Sequence, residues 1–268
     1  VFDDRAKMEQ YDIRGIYKKR ELSNPITNEL NTLRATLLLH LLEAASHNMK
    51  NGRKRVPLFE IGRVFDRSRE ETMKMGFIFS GEAQNPSVLN HGKPETINLM
   101  QFASKVGQVI GEIELRATRP ENKLTSPYEC AEVLMNGEVI GHLARVHAEI
   151  EKEYDLPRTY VCELNFDAIP YGRKIAKEYS KFPASSRDLS LMVPKTMAYG
   201  DIRSCLEEIA PAELIRFLPI YRYESEALGD KVSLTIKLIF QDAQKTLEDE
   251  RVSAMIEKLQ EKLGISIR

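Results

Sequence analysis

In the run LIRFLPIYRY (214–223), Phe217, Tyr221 and Tyr223 stand at odd positions, as Ser233, Thr235 and Lys237 do in KVSLTIKLIF (231–240). On a strand, residues two apart share a face. Aromatic rings beside hydroxyls and a lysine are the materials that hold single-stranded RNA: bases stack on the rings and their edges take hydrogen bonds. The run FPASSRDLSLMV (182–193) adds Asp188, Ser190 and Met192 to that face if Leu189, Leu191 and Val193 turn inward, with Ser185 and Arg187 at its mouth. The candidate RNA-binding residues are therefore Ser185, Arg187, Asp188, Ser190, Phe217, Tyr221, Tyr223, Thr235 and Lys237. A sheet covered by another protein domain would present the same pattern. Arg187 and Asp188 fit either an anchor for the loop before the strand or an RNA contact.

Catalytic chemistry has no comparable gathering. His40, His47, His91, His142 and His147 lack the clustering of a metal site and have no partnered Ser or Cys nucleophile, so no catalytic residue and no metal ligand is assigned. Cys130, Cys162 and Cys205 are odd in number and far apart, which suits reduced structural thiols. Glu60 and Glu163 fall on predicted strands and read as buried hydrogen-bonding anchors rather than an acid and base pair.

The elements around these residues follow from periodicity. With 268 residues, 42% of them hydrophobic and 29% charged, the chain has room for one large or two medium domains. The stripe Leu30, Leu33, Leu37, Leu38, Leu41, Leu42 and Ala45 predicts a helix over 30–45, with more apolar surface than one sheet face needs. That surplus predicts burial against a partner subunit. A basic loop at 50–55 leads into strands at 56–65 and 75–81, and a helix is predicted over 97–113. Asn136-Gly137 marks a hairpin within 130–144, followed by a short helix at 147–156 and a strand at 159–169. A polar boundary at 171–181 precedes strand 188–193, helix 199–209, strands 214–223 and 231–240, a helix spanning Val252 to Leu263, and a last strand at 265–267. That order is βαββαβ, the ferredoxin-like arrangement with helices on one sheet face only. The fold class is α+β with mainly antiparallel sheets.

Charge limits how RNA could be held. Lys and Arg total 39 against 40 Asp and Glu, a net charge of -1 with pI near 6.6. This excludes a basic coat, and residues 181–268 hold 13 basic against 14 acidic side chains, so binding should be local and modest. No apolar run approaches the roughly 20 residues of a membrane helix, and no signal pattern opens the chain, so a cytoplasmic location and no membrane partner are expected. The opening at Val1, in what reads as mid-domain sequence, suggests a piece of a longer polypeptide.

Six segments in order resemble one family: LSNPITNELNTLRATLLLHLLEAASHN (22–48), LFEIGRVF (58–65), GHLARVHAEIEKEYDL (141–156), CELNFDAI (162–169), FPASSRDLSLMV (182–193) and SLTIKLIFQDAQKTLEDERV (233–252). They are similar to the C-terminal part of the β subunit of bacterial phenylalanine-tRNA ligase, a class II synthetase. The resemblance implies a non-catalytic class II synthetase-like module at 1–175 and a ferredoxin-fold anticodon-binding domain at 181–268. It implies a catalytic α subunit and the tRNA for phenylalanine as partners, and an (αβ)2 heterotetramer. ATP and magnesium would belong to the holoenzyme and no cofactor to this piece; the family's upstream editing domain is not in this stretch. Class II chemistry also needs an arginine on a strand-loop-strand element and a later Gly-rich turn with a second arginine. Arg63 is present, but Gly172-Arg173 stands alone. Where the family commonly has His-Pro, this chain has His147-Ala148, and 97–110 matches only loosely. The expected function is to support aminoacylation by docking the α subunit and binding the anticodon region. The alternative is a ferredoxin-like regulatory or protein-interaction module with no RNA role.

Overall fold

Strand β8 (Thr159–Asn165) is buried at five of its seven positions because it is covered on both faces. The structure, a computed structural model, describes residues 2–13, 22–25, 27–66, 68–170 and 179–263. It divides into two units, Val1–Gly172 and Arg173–Arg268. In the first, β8 lies inside a six-stranded antiparallel sheet with β3 (Arg55–Phe65), β4 (Glu71–Gly81), β5 (Glu114–Ala117), β6 (Thr125–Met135) and β7 (Glu138–Val146), in the order β3-β4-β8-β7-β6-β5. The helix α2 (Leu38–Lys50) covers one face, packing Leu38, Leu41, Leu42 and Ala45 against Val56, Ile78 and Val161. On the other face α3 (Leu99–Ile110) packs Phe102, Ala103 and Val106 against Phe77, Phe79, Leu143 and Cys162. Local chemistry fixes the joints. Asn98 and Gln101 form a reciprocal capping box at the start of α3. Asn136 (φ 53°) and Gly137 (φ 81°) both take the left-handed conformation that a two-residue hairpin turn requires.

The helix expected at 30–45 begins only at Leu38. Thr32 and Leu33 form β2 (Thr32–Leu33), which pairs with β1 (Phe2–Asp3), and Leu30 sits in a turn whose amide donates to Thr27 Oγ1. The helical stripe over Leu30 and Leu33 thus yields to a pairing with residues some thirty positions away. Strand 159–169 ends at Asn165 and passes into a 3-10 turn at Phe166–Ala168. The short elements β5, β1, β2 and α1 (Arg5–Gln10) were not anticipated, while α4 (Ala148–Glu153) stands where a short helix was expected.

In the second unit β9 (Ser185–Pro194), α5 (Tyr199–Ile209), β10 (Leu214–Tyr223), β11 (Lys231–Phe240) and α6 (Asp249–Leu263) follow one another, with antiparallel strand order β10-β11-β9. Leu189, Leu191, Val193, Ile236, Leu238 and Phe240 bury themselves against Ile202 and Leu206 of α5 and Val252 and Leu259 of α6. This is the expected ferredoxin-like succession; the last strand, 265–267, lies outside the described residues, as does most of the polar boundary at 171–181. The α+β class holds in both units. No helix among the described residues is long and apolar enough to cross a membrane.

Candidate nucleic-acid interface

Directly opposite residues on antiparallel strands point to the same face, so the register of the small sheet decides which side chains can act together. Four rows lie on the face away from α5 and α6. Asp188, Lys237 and Leu218 form one; Ser190, Thr235 and Tyr221 the next; Met192, Ser233 and Tyr223 a third; and Ser186, Ile239 and Arg216 the fourth. Ser190 and Thr235 share a hydroxyl hydrogen bond of 3.0 Å, and Tyr221 is 61% exposed. Two phenol rings, a lysine and a patch of hydroxyls therefore converge, which offers stacking planes and hydrogen-bonding edges for unpaired bases.

Three predicted residues do not join them. Phe217 pairs with Leu238 and packs against the helix-side core, not on the open face; Pro219, opposite Ile236, shares that side by register but stays exposed. The cause is a register shift in β10 between Pro219 and Tyr221; a second shift, between Leu214 and Arg216, changes only the start of the strand. Each inserts a residue and flips the parity of what precedes it. Arg216 and Leu218 consequently occupy open-face places that simple alternation had assigned inward or passed over. The sequence signal was Pro219 itself, since proline inside a strand marks an edge or a bulge.

Ser185 and Arg187 are likewise on the helix side, opposite Phe240 and Leu238. The guanidinium of Arg187 donates to Asp249 Oδ1 at 2.6 Å, to Ser185 Oγ at 3.0 Å and to the Ser186 carbonyl at 2.8 Å. Arg187 thus ties the start of β9 to the first turn of α6, where an acidic residue also suits the helix dipole. Asp188 points the other way, toward Lys237.

The larger sheet carries a different polar set. Glu60, Gly76, Glu163, His142, Glu132 and Arg116 lie each opposite the next, one row across all six strands on the α2 face. Glu163 Oε1 accepts from Thr36 Oγ1 (2.8 Å) and the Leu37 amide (2.7 Å), which fixes the start of α2. Burial holds this carboxyl above the usual range. Glu60 pairs with the buried Arg34 at 2.6 Å. Both carboxylates are anchors, as expected. Arg63 faces the opposite side of β3, exposed and 3.2 Å from Glu71, so it does not converge with the polar row. His40 sits 3.0 Å from Asp3, His147 caps α4, and among the described residues no three His, Cys, Asp or Glu side chains gather as a metal ion would need. Cys130 and Cys162 are buried free thiols, both pushed up in pKa by burial, and Cys205 is free and exposed.

Two family models match the chain: the phenylalanyl tRNA synthetase beta chain CLM domain over residues 6–166 and the ferredoxin-fold anticodon binding domain over 180–268. The chain belongs to the phenylalanyl-tRNA synthetase β chain family. It is 42% identical over 272 residues to the phenylalanine–tRNA ligase beta subunit of Sulfurimonas denitrificans, covering 100% of this chain and 35% of that protein. It is 42% identical over 253 residues to that of Campylobacter jejuni, covering 93% and 32%. To that of Staphylococcus saprophyticus it is 30% identical, covering 92% and 32%. The chain spans about a third of the length of the curated relatives it matches. Among solved structures, it is similar to pyrrolysyl-tRNA synthetase from Desulfitobacterium hafniense over 54% of this chain and 50% of that one, with 14% identity and a TM-score of 0.38.

The apolar surplus expected on α2 is consumed inside its own unit, since Leu37, Leu38, Leu39, Leu41, Leu42 and Ala45 are all buried. Exposed apolar surface appears instead on the edge strand β3, where Phe59 is 65% and Ile61 46% exposed.

Proposed function

We propose that this chain is the part of a phenylalanine–tRNA ligase β subunit that assembles with the catalytic α subunit and holds the anticodon region of the tRNA for phenylalanine. The reading rests on the open face of β9, β10 and β11, with Tyr221, Tyr223, Thr235 and Lys237 in adjacent rows, in a stretch that matches an anticodon-binding family. Stacking one base on an aromatic side chain is worth about 1–3 kcal/mol. Asp188 beside Lys237 keeps the local field weak, so rings and edges rather than phosphates carry the contact. Phenylalanine is joined to tRNA at the expense of ATP, with magnesium, in the α subunit of an (αβ)2 heterotetramer located in the cytoplasm. The contribution of this chain is positioning: a correct anticodon held here places the distant acceptor end at the catalytic centre. The exposed Phe59 and Ile61 on β3 support a subunit-docking surface on the first unit.

The test is aminoacylation by the α subunit assembled with a β subunit containing this chain. Tyr221→Ala and Lys237→Ala should each weaken tRNA binding by about tenfold, as a rise in KM for tRNA, with the fold intact. Wild-type kinetics in both variants, or aminoacylation indifferent to removal of residues 179–268, would overturn the reading and favour a protein-interaction role for the ferredoxin-like unit.

A further inference from the structure

The polar row of the larger sheet borders a cavity that tRNA positioning does not use. Its volume is about 430 Å3, within the range that accommodates small molecules. Leu38, Leu124, Ala144 and Val161 give it an apolar floor. Its polar wall is built by register: Lys74 lies directly opposite Asn165, and Glu163 stands two residues before Asn165 on the same face of β8. Asn165 Oδ1 is buried and has no hydrogen-bond partner. Both hydrogen bonds accepted by Glu163 use Oε1, and its Oε2 takes none among the described residues. Lys74 lines the same wall and makes no ion pair of its own among the described residues.

These groups set what can fit. Asn165 Oδ1, buried without a donor, calls for an N–H group, and the carboxylate of Glu163 on the same face favours one that carries positive charge. An amine alone would face Lys74 without compensation, and an anion alone would face Glu163 while leaving Asn165 Oδ1 unmatched. A molecule carrying both charges at adjacent positions meets both demands, and the floor takes an apolar group. We propose that this cavity binds a free α-amino acid with an apolar side chain, its ammonium at Asn165 and Glu163 and its carboxylate at Lys74. The inference stands apart from the anticodon reading and survives or fails without it.

The experiment is calorimetric titration of the 268-residue chain, without the α subunit, using leucine and phenylalanine as probes. Phenethylamine and 3-phenylpropionate serve as the amine-only and acid-only controls. The expected result is saturable binding of at least one amino acid at about 1 mM or tighter, with each control about tenfold weaker. Asn165→Leu, which removes the unmet acceptor, and Lys74→Met, which removes the cation at a partly exposed position, should each weaken binding about tenfold while circular dichroism reports the same fold. If one variant unfolds, the other still decides. No saturable binding of either amino acid up to about 10 mM, equal binding of the amine-only control, or unchanged affinity in a folded variant would overturn the proposal.

Discussion

At the scale of single residues, the first unit depends on Arg34, which lies across β3 where that strand has no side chain. A Cβ added at Gly62 would stand 2.2 Å from the Arg34 guanidinium, so the glycine is the opening through which Arg34 reaches Glu60 and the Arg63 carbonyl. Gly62→Ala should therefore act as an electrostatic mutation, displacing a buried cation from its partner at a cost of about 1–3 kcal/mol in urea unfolding. Combined with Glu60→Gln it should cost less than the sum of the two single changes, since both break the same pair. Full additivity would show that Arg34 is not the mediator. His40 makes a second, pH-dependent link. Its hydrogen bond to Asp3 raises the imidazole pKa above 6.5, against the opposing effects of burial and Arg34. Because the folded value is the higher one, protonated His40 stabilises the fold fully below the unfolded value, and that stabilisation disappears as pH rises through the folded value. The thermal midpoint should fall over this interval, and the fall should be reduced in Asp3→Asn. An identical profile in that variant would assign the pH dependence elsewhere.

At the scale of elements, β10 and β11 show why the same alternating pattern is reliable in one strand and misleading in its neighbour. In β11 every even residue from Val232 to Phe240 is buried, as the sequence predicts, because the strand runs without a bulge between two partners. In β10 the register shift between Pro219 and Tyr221 reverses parity, so Phe217 goes to the core while Tyr221 and Tyr223 remain on the open face. Phe217→Ala should destabilise the second unit by about 2–3 kcal/mol, less than a fully buried phenylalanine because it keeps some exposure, whereas Tyr221→Ala should stay within about 0.5 kcal/mol. Equal costs in urea unfolding would mean that the two rings share a face after all. The start of α2 was illegible for a similar reason. The amide of its N-cap residue, Leu37, is satisfied by Glu163, 126 residues away, and Thr32 and Leu33 before it are taken by β1. Periodicity carries no information about partners so remote, and two- to four-residue strands such as β2 and β5 are too short to show a period at all. Arg187 was undecidable from sequence because its partner, Asp249, is 62 positions away. What was legible were long elements in regular pairing and joints with local chemistry, such as the Asn136-Gly137 turn.

At the scale of the whole molecule, charge separates two ways of holding RNA. The chain is nearly neutral, and residues 181–268 carry 13 basic and 14 acidic side chains, so no broad positive field draws in phosphates. On the open face the basic residues, among the described ones, are Lys231, Lys237 and Arg216. Three phosphate contacts on a single strand predict that log affinity falls with log salt concentration with a slope of about −2.1. Fluorescence anisotropy of the anticodon stem-loop on the assembled enzyme, between about 50 and 200 mM salt, reads this slope directly. Lys237→Ala should make it shallower by about 0.7, whereas Tyr221→Ala should lower affinity at every salt concentration and leave the slope alone, because stacking releases no counterions. A slope of about −5 would require many more cations than this face supplies and would place the RNA contact on another surface.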